Sequence, residues 1–344
     1  MIQTVGIVSL SRGLLGESYV RHELEIGVRR LSELGCRVRF SEHALDGIAT
    51  LDAHPEHRAA DLLELFRDPE IDLILCAIGG NDTYRLLPYL FDRDELKHAV
   101  SEKPFLGFSD TTVNHFMLHK LGVPTFYGQA FLPDVCELGP DMLPYTKRYF
   151  TEFLLSGTIR EIRPSDVWYK SRADFKADQV GVALSPLTDR GFELLQGAPV
   201  FSGPILGGCI DTMLDMLDPG ENPAMAAACA KYDLFPSQED WAGRILLLES
   251  SEEFLPPGTY RKALLALKRR GVFDAVSGVL VGKPMDERYD ADYPSILLDV
   301  IGDPSLPVVY NVNVGHALPR CIVPFGVPAT VDAAAQVISL DGRA

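Results

Sequence analysis

The first 127 residues alternate between short apolar runs and amphipathic segments, and this alternation restricts the fold more than any other feature. Thr4–Leu10 is apolar and β-branched and reads as a first strand. Glu17–Leu34 follows with apolar residues at Tyr19, Val20, Leu24, Ile26, Val28 and Leu31, a helical period closed by Gly35. Arg37–Phe40 reads as a short strand, and His54–Phe66 as a helix with Ala59, Leu62, Leu63 and Phe66 on its inner side. Leu73–Ile78 is a continuous apolar run, the mark of a strand buried on both faces. Thr83–Leu87 is expected to be helical and to stop near Pro88. Phe105–Phe108 and Val123–Tyr127 complete the strands, with a helix over Thr112–Leu121 between them. The economical answer is an α/β domain, a parallel sheet flanked by helices and flavodoxin-like in class. Its functional edge lies at the carboxyl ends of the strands.

With 344 residues the chain exceeds one ordinary core, so two domains are expected. Tyr145–Leu155 continues as helix. Residues 156–179 are polar, rich in Arg and Lys, and carry Trp168-Tyr169, so they read as a linker or a loop over the site. Beyond them, short apolar pieces are separated by Gly and Pro. Ile245–Glu249 is a strong strand, Tyr260–Arg270 a basic amphipathic helix, and Val276–Val281, Val308–Asn311 and Gln336–Leu340 further strands. The expected division is residues 1–155, a linker at 156–179, and a β-rich, barrel-like second domain at 180–344.

A net charge of −16 argues against a nucleic-acid polymer as partner, which would require a basic footprint. The six cysteines are scattered without a CxxC, as expected for free thiols in a reducing cytoplasm. No signal peptide is evident, and no apolar run reaches the roughly 18 residues of a membrane span.

Four stretches carry possible chemistry. In Phe105-Leu-Gly-Phe-Ser-Asp-Thr-Thr112, Ser109 sits at a strand-to-helix turn, which suits either a nucleophile or a helix cap. Gly79-Gly80-Asn81-Asp82 follows the buried strand directly. It suits either a tight turn or half of an oxyanion hole, with the other half from the N–H after Ser109. Glu249 closes an apolar strand, as a partnered buried carboxylate or a solvated strand end. Glu252 and Glu253 just beyond read as solvated or helix N-terminal acids. His316 follows a strand and Gly315. Taken singly each is ambiguous; together they are the parts of a Ser-His-acid triad in the order Ser109, Glu249, His316. No His/Cys/Asp/Glu group has metal spacing: His54 and His57 stand at i, i+3 with no obvious third ligand. No cofactor motif is present.

These residues resemble the LD-carboxypeptidase and microcin C self-immunity family of serine peptidases. The resemblance also takes in Gly203-Pro-Ile-Leu-Gly207-Gly208 and Ser277-Gly-Val-Leu-Val-Gly-Lys-Pro284, and runs over nearly the whole chain. It implies Ser109 as nucleophile, His316 as general base and Glu249 as the acid orienting it. It also implies backbone N–H groups of Gly80 and Asp110 as oxyanion donors, and Gly79 and Asn81 in substrate binding. The family's fold is an N-terminal parallel α/β domain linked to a C-terminal β-rich domain, often in a homodimer. Ile78 before the Gly-Gly turn, Asn81-Asp82 after it and Glu249-Ser-Ser-Glu-Glu253 are similar to the microcin-immunity branch. That branch implies a peptidyl or aminoacyl nucleotide substrate, on whose base Trp168 or Phe175 could stack; Trp168 could equally pack the linker onto a domain. The murein branch implies a tetrapeptide cut before its terminal D-alanine. Cys209 stands where the family usually has Asn. A rival of another class is a non-catalytic two-domain protein that binds a small molecule, which needs no general base.

Overall fold

The computed structural model describes residues 1–341. The chain forms two compact units, Met1–Thr158 with Arg172–Leu184, and Ile159–Ser171 with the chain from Ser185 onward.

The first unit is built on β1 (Thr4–Val8), β2 (Arg37–Phe40), β3 (Leu73–Cys76), β4 (Phe105–Gly107) and β5 (Thr125–Tyr127). They are parallel and lie in the order β5-β4-β3-β1-β2. That is the flavodoxin-like order, with its switch point between β1 and β3, where the chain first moves outward on one side and then on the other. β1, β3, β4 and β5 are buried along their whole length, which explains why they read as unbroken apolar runs. Helices at Arg21–Glu33 and Pro55–Arg67 turn apolar sides inward, including Ile26 and Leu31 on one and Ala59, Leu62 and Phe66 on the other. One local expectation holds only in part. The helical turn at Thr83–Leu86, a 3-10 helix, stops just before Pro88, but a new helix, Leu87–Phe91, starts there and takes Pro88 into its first turn. There its missing N–H costs nothing.

The second unit holds β6 (Glu161–Ile162), β7 (Val167–Tyr169), β8 (Pro186–Thr188), β9 (Glu193–Gln196), β10 (Val200–Cys209), β11 (Ile245–Glu249), β12 (Gly278–Gly282), β13 (Val308–Val312), β14 (Val323–Phe325), β15 (Pro328–Asp332) and β16 (Val337–Leu340). An eight-stranded sheet runs β6-β16-β15-β10-β11-β12-β13-β9. Its centre, β10 to β13, is parallel, and antiparallel strands flank it. The unit is β-rich as expected, but the sheet ends at β6 and β9 and closes no barrel. The 156–179 stretch is not a plain linker. β6 pairs with β16, β7 pairs with β8, and Ile162, Trp168 and Tyr169 are buried. Burying those side chains offsets the ordering of a polar segment that composition alone marks as loop. The six cysteines are buried, and none is in a disulfide. No described helix is long and apolar enough to cross a membrane.

Candidate active site

The groups of the first unit cluster at the carboxyl ends of β1, β3 and β4. After β4, Phe108 is still extended (φ −154°, ψ −175°), and Ser109 then swings to φ +68°. A left-handed backbone costs a non-glycine residue about 1–2 kcal/mol, and such strain concentrates at functional sites. An N-cap serine would instead keep extended dihedrals and accept a backbone N–H. Neither the turn Ser109–Thr111 nor the helix Thr112–Lys120 has a side-chain N-cap. The elbow is stitched from behind: Thr111 Oγ1 donates to Phe108 O at 2.5 Å, and Thr112 Oγ1 to Ser109 O at 2.7 Å. The Ser109 N–H donates to the Tyr127 hydroxyl at 3.0 Å.

Gly79 lies directly against this serine. A Cβ on Gly79 would come within 2.8 Å of Ser109 Cβ and 2.9 Å of its Oγ, and 3.4 Å of Asp110 N. Gly80 has φ +153°, and a Cβ there would collide with Ser11 Oγ. Gly80 and Asn81 are exposed. The turn is held through Asp82. Arg58, fully buried, grips that carboxylate with Nη1 at 2.7 Å and Nη2 at 3.1 Å, while Nη1 also donates to the carbonyls of Leu10 and Ser11. Ser11 Oγ and Arg85 Nη1 each donate to Asp82 at 3.0 Å. Asp110, buried beneath, accepts the N–H groups of Asp82 and Thr83 at 3.0 Å each. Burial pushes its carboxyl up to about 6, against those donors. Asp110 therefore ties the β3 turn to the β4 turn. His115 is close by in sequence but is no base. Burial holds it down at about 4, and its nitrogens face Thr125 Oγ1 (2.7 Å) and Gly107 O (3.1 Å).

The second unit assembles Glu249 and His316. Glu249 ends β11 and is 1% exposed. β13 ends at Val312, and the chain turns through Gly315 (φ +89°) into His316. His316 Nδ1 lies 2.7 Å from Glu249 Oε2, and the His316 N–H donates to the same oxygen at 3.2 Å. Two glycines make the slot for this carboxylate. A Cβ on Gly315 would fall 2.6 Å from Glu249 Cδ, and one on Gly282 would fall 2.9 Å from Glu249 Cβ. Cys209 ends β10 in register with Glu249, and its thiol donates to Asp211 at 3.6 Å. Asp211 in turn accepts the Ser251 N–H at 3.1 Å and the Ser251 hydroxyl at 2.5 Å.

Glu252 departs from expectation. Its side chain is 57% exposed, yet Oε2 sits 2.9 Å from His316 Nε2. The imidazole is thus flanked by a carboxylate on each nitrogen. Burial alone would lower its pKa, but Glu249 and then Glu252 outweigh that and hold it well above the ordinary histidine value. Glu252 is held low, through its hydrogen bond to His316.

Trp168 and Phe175 fall in different units. Trp168 is 5% exposed with the Lys283 ammonium 4.9 Å from its ring centroid, whereas Phe175 is 54% exposed. Sequence reasoning assigned Arg58, Ser11 and Asp82 no site role of their own and read Glu252 as a solvated or helix N-terminal acid. An arginine beside Ala59 on the inner side of a helix was a usable signal for the first.

Comparison with known proteins agrees over both units. The family model described as the LD-carboxypeptidase N-terminal domain matches residues 5–128, and that of the LD-carboxypeptidase C-terminal domain matches residues 202–331. A Streptomyces coelicolor protein named as a carboxypeptidase is 31% identical over 307 residues, covering 87% of this chain and 82% of the relative. The microcin C7 self-immunity protein of Escherichia coli is 26% identical over 287 residues, covering 80% and 76%. The crystal structure of an MccF-like protein from Streptococcus pneumoniae in complex with AMP is 54% identical, with a TM-score of 0.98 over 99% of each chain.

Proposed function

The chain belongs to the LD-carboxypeptidase family, and we propose that it is a serine peptidase or amidase acting through Ser109, His316 and Glu249. The observation that carries the reading is the left-handed Ser109 backbone at the end of β4, with side-chain-free Gly79 against its hydroxyl. It is supported by the buried Glu249–His316 pair, which a simple binding protein has no use for.

In this mechanism Ser109 Oγ attacks the acyl carbonyl and gives its proton to His316 Nε2. Glu249 on Nδ1 fixes the tautomer and stabilises the imidazolium as it forms. The N–H groups of Gly80 and Asp110 donate to the oxyanion; that of Ser109 is already committed to Tyr127. Collapse breaks the C–N bond, and His316 returns its proton to the leaving nitrogen. Water, deprotonated by His316, then hydrolyses the acyl-enzyme and frees Ser109. For this cycle to start, Glu252 must move away from Nε2 and His316 must be neutral.

The proposed substrate is an amide joining an acyl group to a nucleotide-like part, as in microcin C-type conjugates. The support is the resemblance to the immunity protein and to the MccF-like structure that holds AMP. Phe175, the exposed aromatic, is the ring proposed to stack on the base. The second reading, removal of the terminal D-alanine from a murein tetrapeptide, follows from the family's members named as murein carboxypeptidases. Purified wild type and Ser109→Ala are assayed on an aminoacyl-sulfamoyl adenylate and a murein tetrapeptide. Wild-type turnover of the adenylate conjugate, lost at least about 10⁴-fold in the variant, is expected. Turnover of the tetrapeptide alone favours the second reading. Activity retained by the variant removes Ser109 as nucleophile.

A further inference from the structure

The first unit carries a histidine cluster that the peptidase reading does not use. In the sequence His54 and His57 were two potential ligands without a third. The structure supplies it by folding the loop after β2 onto the start of the helix Pro55–Arg67. His43, Asp46 and His57 each offer a ligand atom, all within 4.8 Å of one another. A second group, His54, Glu56 and His57, meets the same criterion and shares His57. The three imidazoles stack, with centroids 4.1 Å apart for His43–His57 and 4.7 Å for His54–His57.

Two details go beyond proximity. His43 Nδ1 lies 2.8 Å from Asp61 Oδ1, and Asp61 is itself buried and accepts from the Ser41 hydroxyl at 2.7 Å. A carboxylate on one imidazole nitrogen fixes the ring and leaves the other to ligate, the outer-sphere arrangement common around metal-binding histidines. His57 Nδ1 is sealed from solvent and has no hydrogen-bond partner, a cost that a ligand would remove.

We propose that His43, Asp46 and His57 form a binding site for a divalent transition-metal ion of the zinc class. Imidazole and carboxylate donors suit that class, with water as the fourth ligand. Ligand atoms around a tetrahedral zinc lie about 3.4 Å apart, given bonds of about 2.1 Å. The ligand atoms, within 4.8 Å of one another, have to close by up to about 1.4 Å to reach that spacing, with the stacked rings of His43 and His57 turning edge-on to the ion. The ion joins the loop at residues 43–46 to the helix whose next residue, Arg58, holds Asp82 beneath the Gly79-Gly80 turn. It is thus a brace for the first unit, distant in sequence from Glu249 and His316.

The test is titration of tag-free, chelator-stripped protein with ZnCl₂, read by calorimetry and by Tm. Wild type is expected to bind with saturable stoichiometry and a rise in Tm. His43→Gln, Asp46→Asn and His57→Gln should each weaken this site at least tenfold and lower the stoichiometry by one. The exposed His98→Gln should leave both unchanged, and zinc-free melting shows which variants fold. Wild-type stoichiometry and affinity in folded His43→Gln and His57→Gln, or no saturable binding by wild type, overturns the proposal.

Discussion

Glu252 is the most informative residue to perturb, because it faces the nitrogen through which His316 accepts a proton in the proposed mechanism. Glu252→Gln keeps the size of the side chain and removes the charge. Two unit charges at the observed 2.9 Å interact by about 1.4 kcal/mol in a water-like dielectric and about 5.7 kcal/mol at an effective dielectric of 20. Glu252 is 57% exposed, so solvent screens the pair toward the lower figure. At 1.36 kcal/mol per pKa unit this is a shift of about 1–2 units. The sign follows from the charge. Glu252 favours the imidazolium, so its removal lowers the His316 pKa and leaves more neutral base at a given pH. The acid limb of kcat/KM against pH reports the base in the free enzyme. In Glu252→Gln that limb should move about 1–2 units toward acid. Activity on the limb should rise about tenfold per unit moved, with little change on the high-pH plateau. An acid limb that stays in place, or moves toward alkali, refutes the assignment of His316 as base with Glu252 as its resting partner. NMR titration of the His316 ring in both proteins reads the same shift without turnover.

Gly79→Ala sets a methyl 2.9 Å from Ser109 Oγ; kcat should fall at least about 100-fold, a cost typical of ångström-scale misplacement, with the fold retained by circular dichroism. Arg58→Met removes the buried partner of Asp82, which keeps Arg85 and Ser11, and should cost about 1.5–3 kcal/mol in urea unfolding, with activity reduced in the fraction that folds. Gly315→Ala meets both a positive φ and the Glu249 carboxyl. It should lower Tm and abolish turnover together, whereas Glu249→Gln should spare most of the stability while dropping kcat by about 10⁴-fold.

The sequence by itself determined the elements of the first unit, because strands buried on both faces leave unbroken apolar runs. Leu73–Ile78 and Phe105–Phe108 could be read as strands without reference to any partner. It also singled out Ser109, Glu249 and His316 as strand-end residues, and Gly79, Gly80 and Gly315 as positions without side chains. What it left open at Ser109 was cap or elbow, and only the backbone decides that. The same eight residues are compatible with an extended φ and with the +68° observed. Hydrogen bonds along β1 and β3 carry no residue signature, so the flavodoxin-like class was an expectation for the sheet as a whole, and the strand order itself is read from the structure. The polar 156–179 stretch misled because two-to-three-residue strands such as β6 and β7 are too short for a period and take their order from β16 and β8. The charges around the histidines were the least legible of all. Glu252 on His316, Arg58 on Asp82 and the stack of His43, His54 and His57 join residues from 3 to 64 positions apart. Tertiary structure alone converts such separations into distances of a few ångströms, and electrostatic interaction depends on distance rather than on order along the chain.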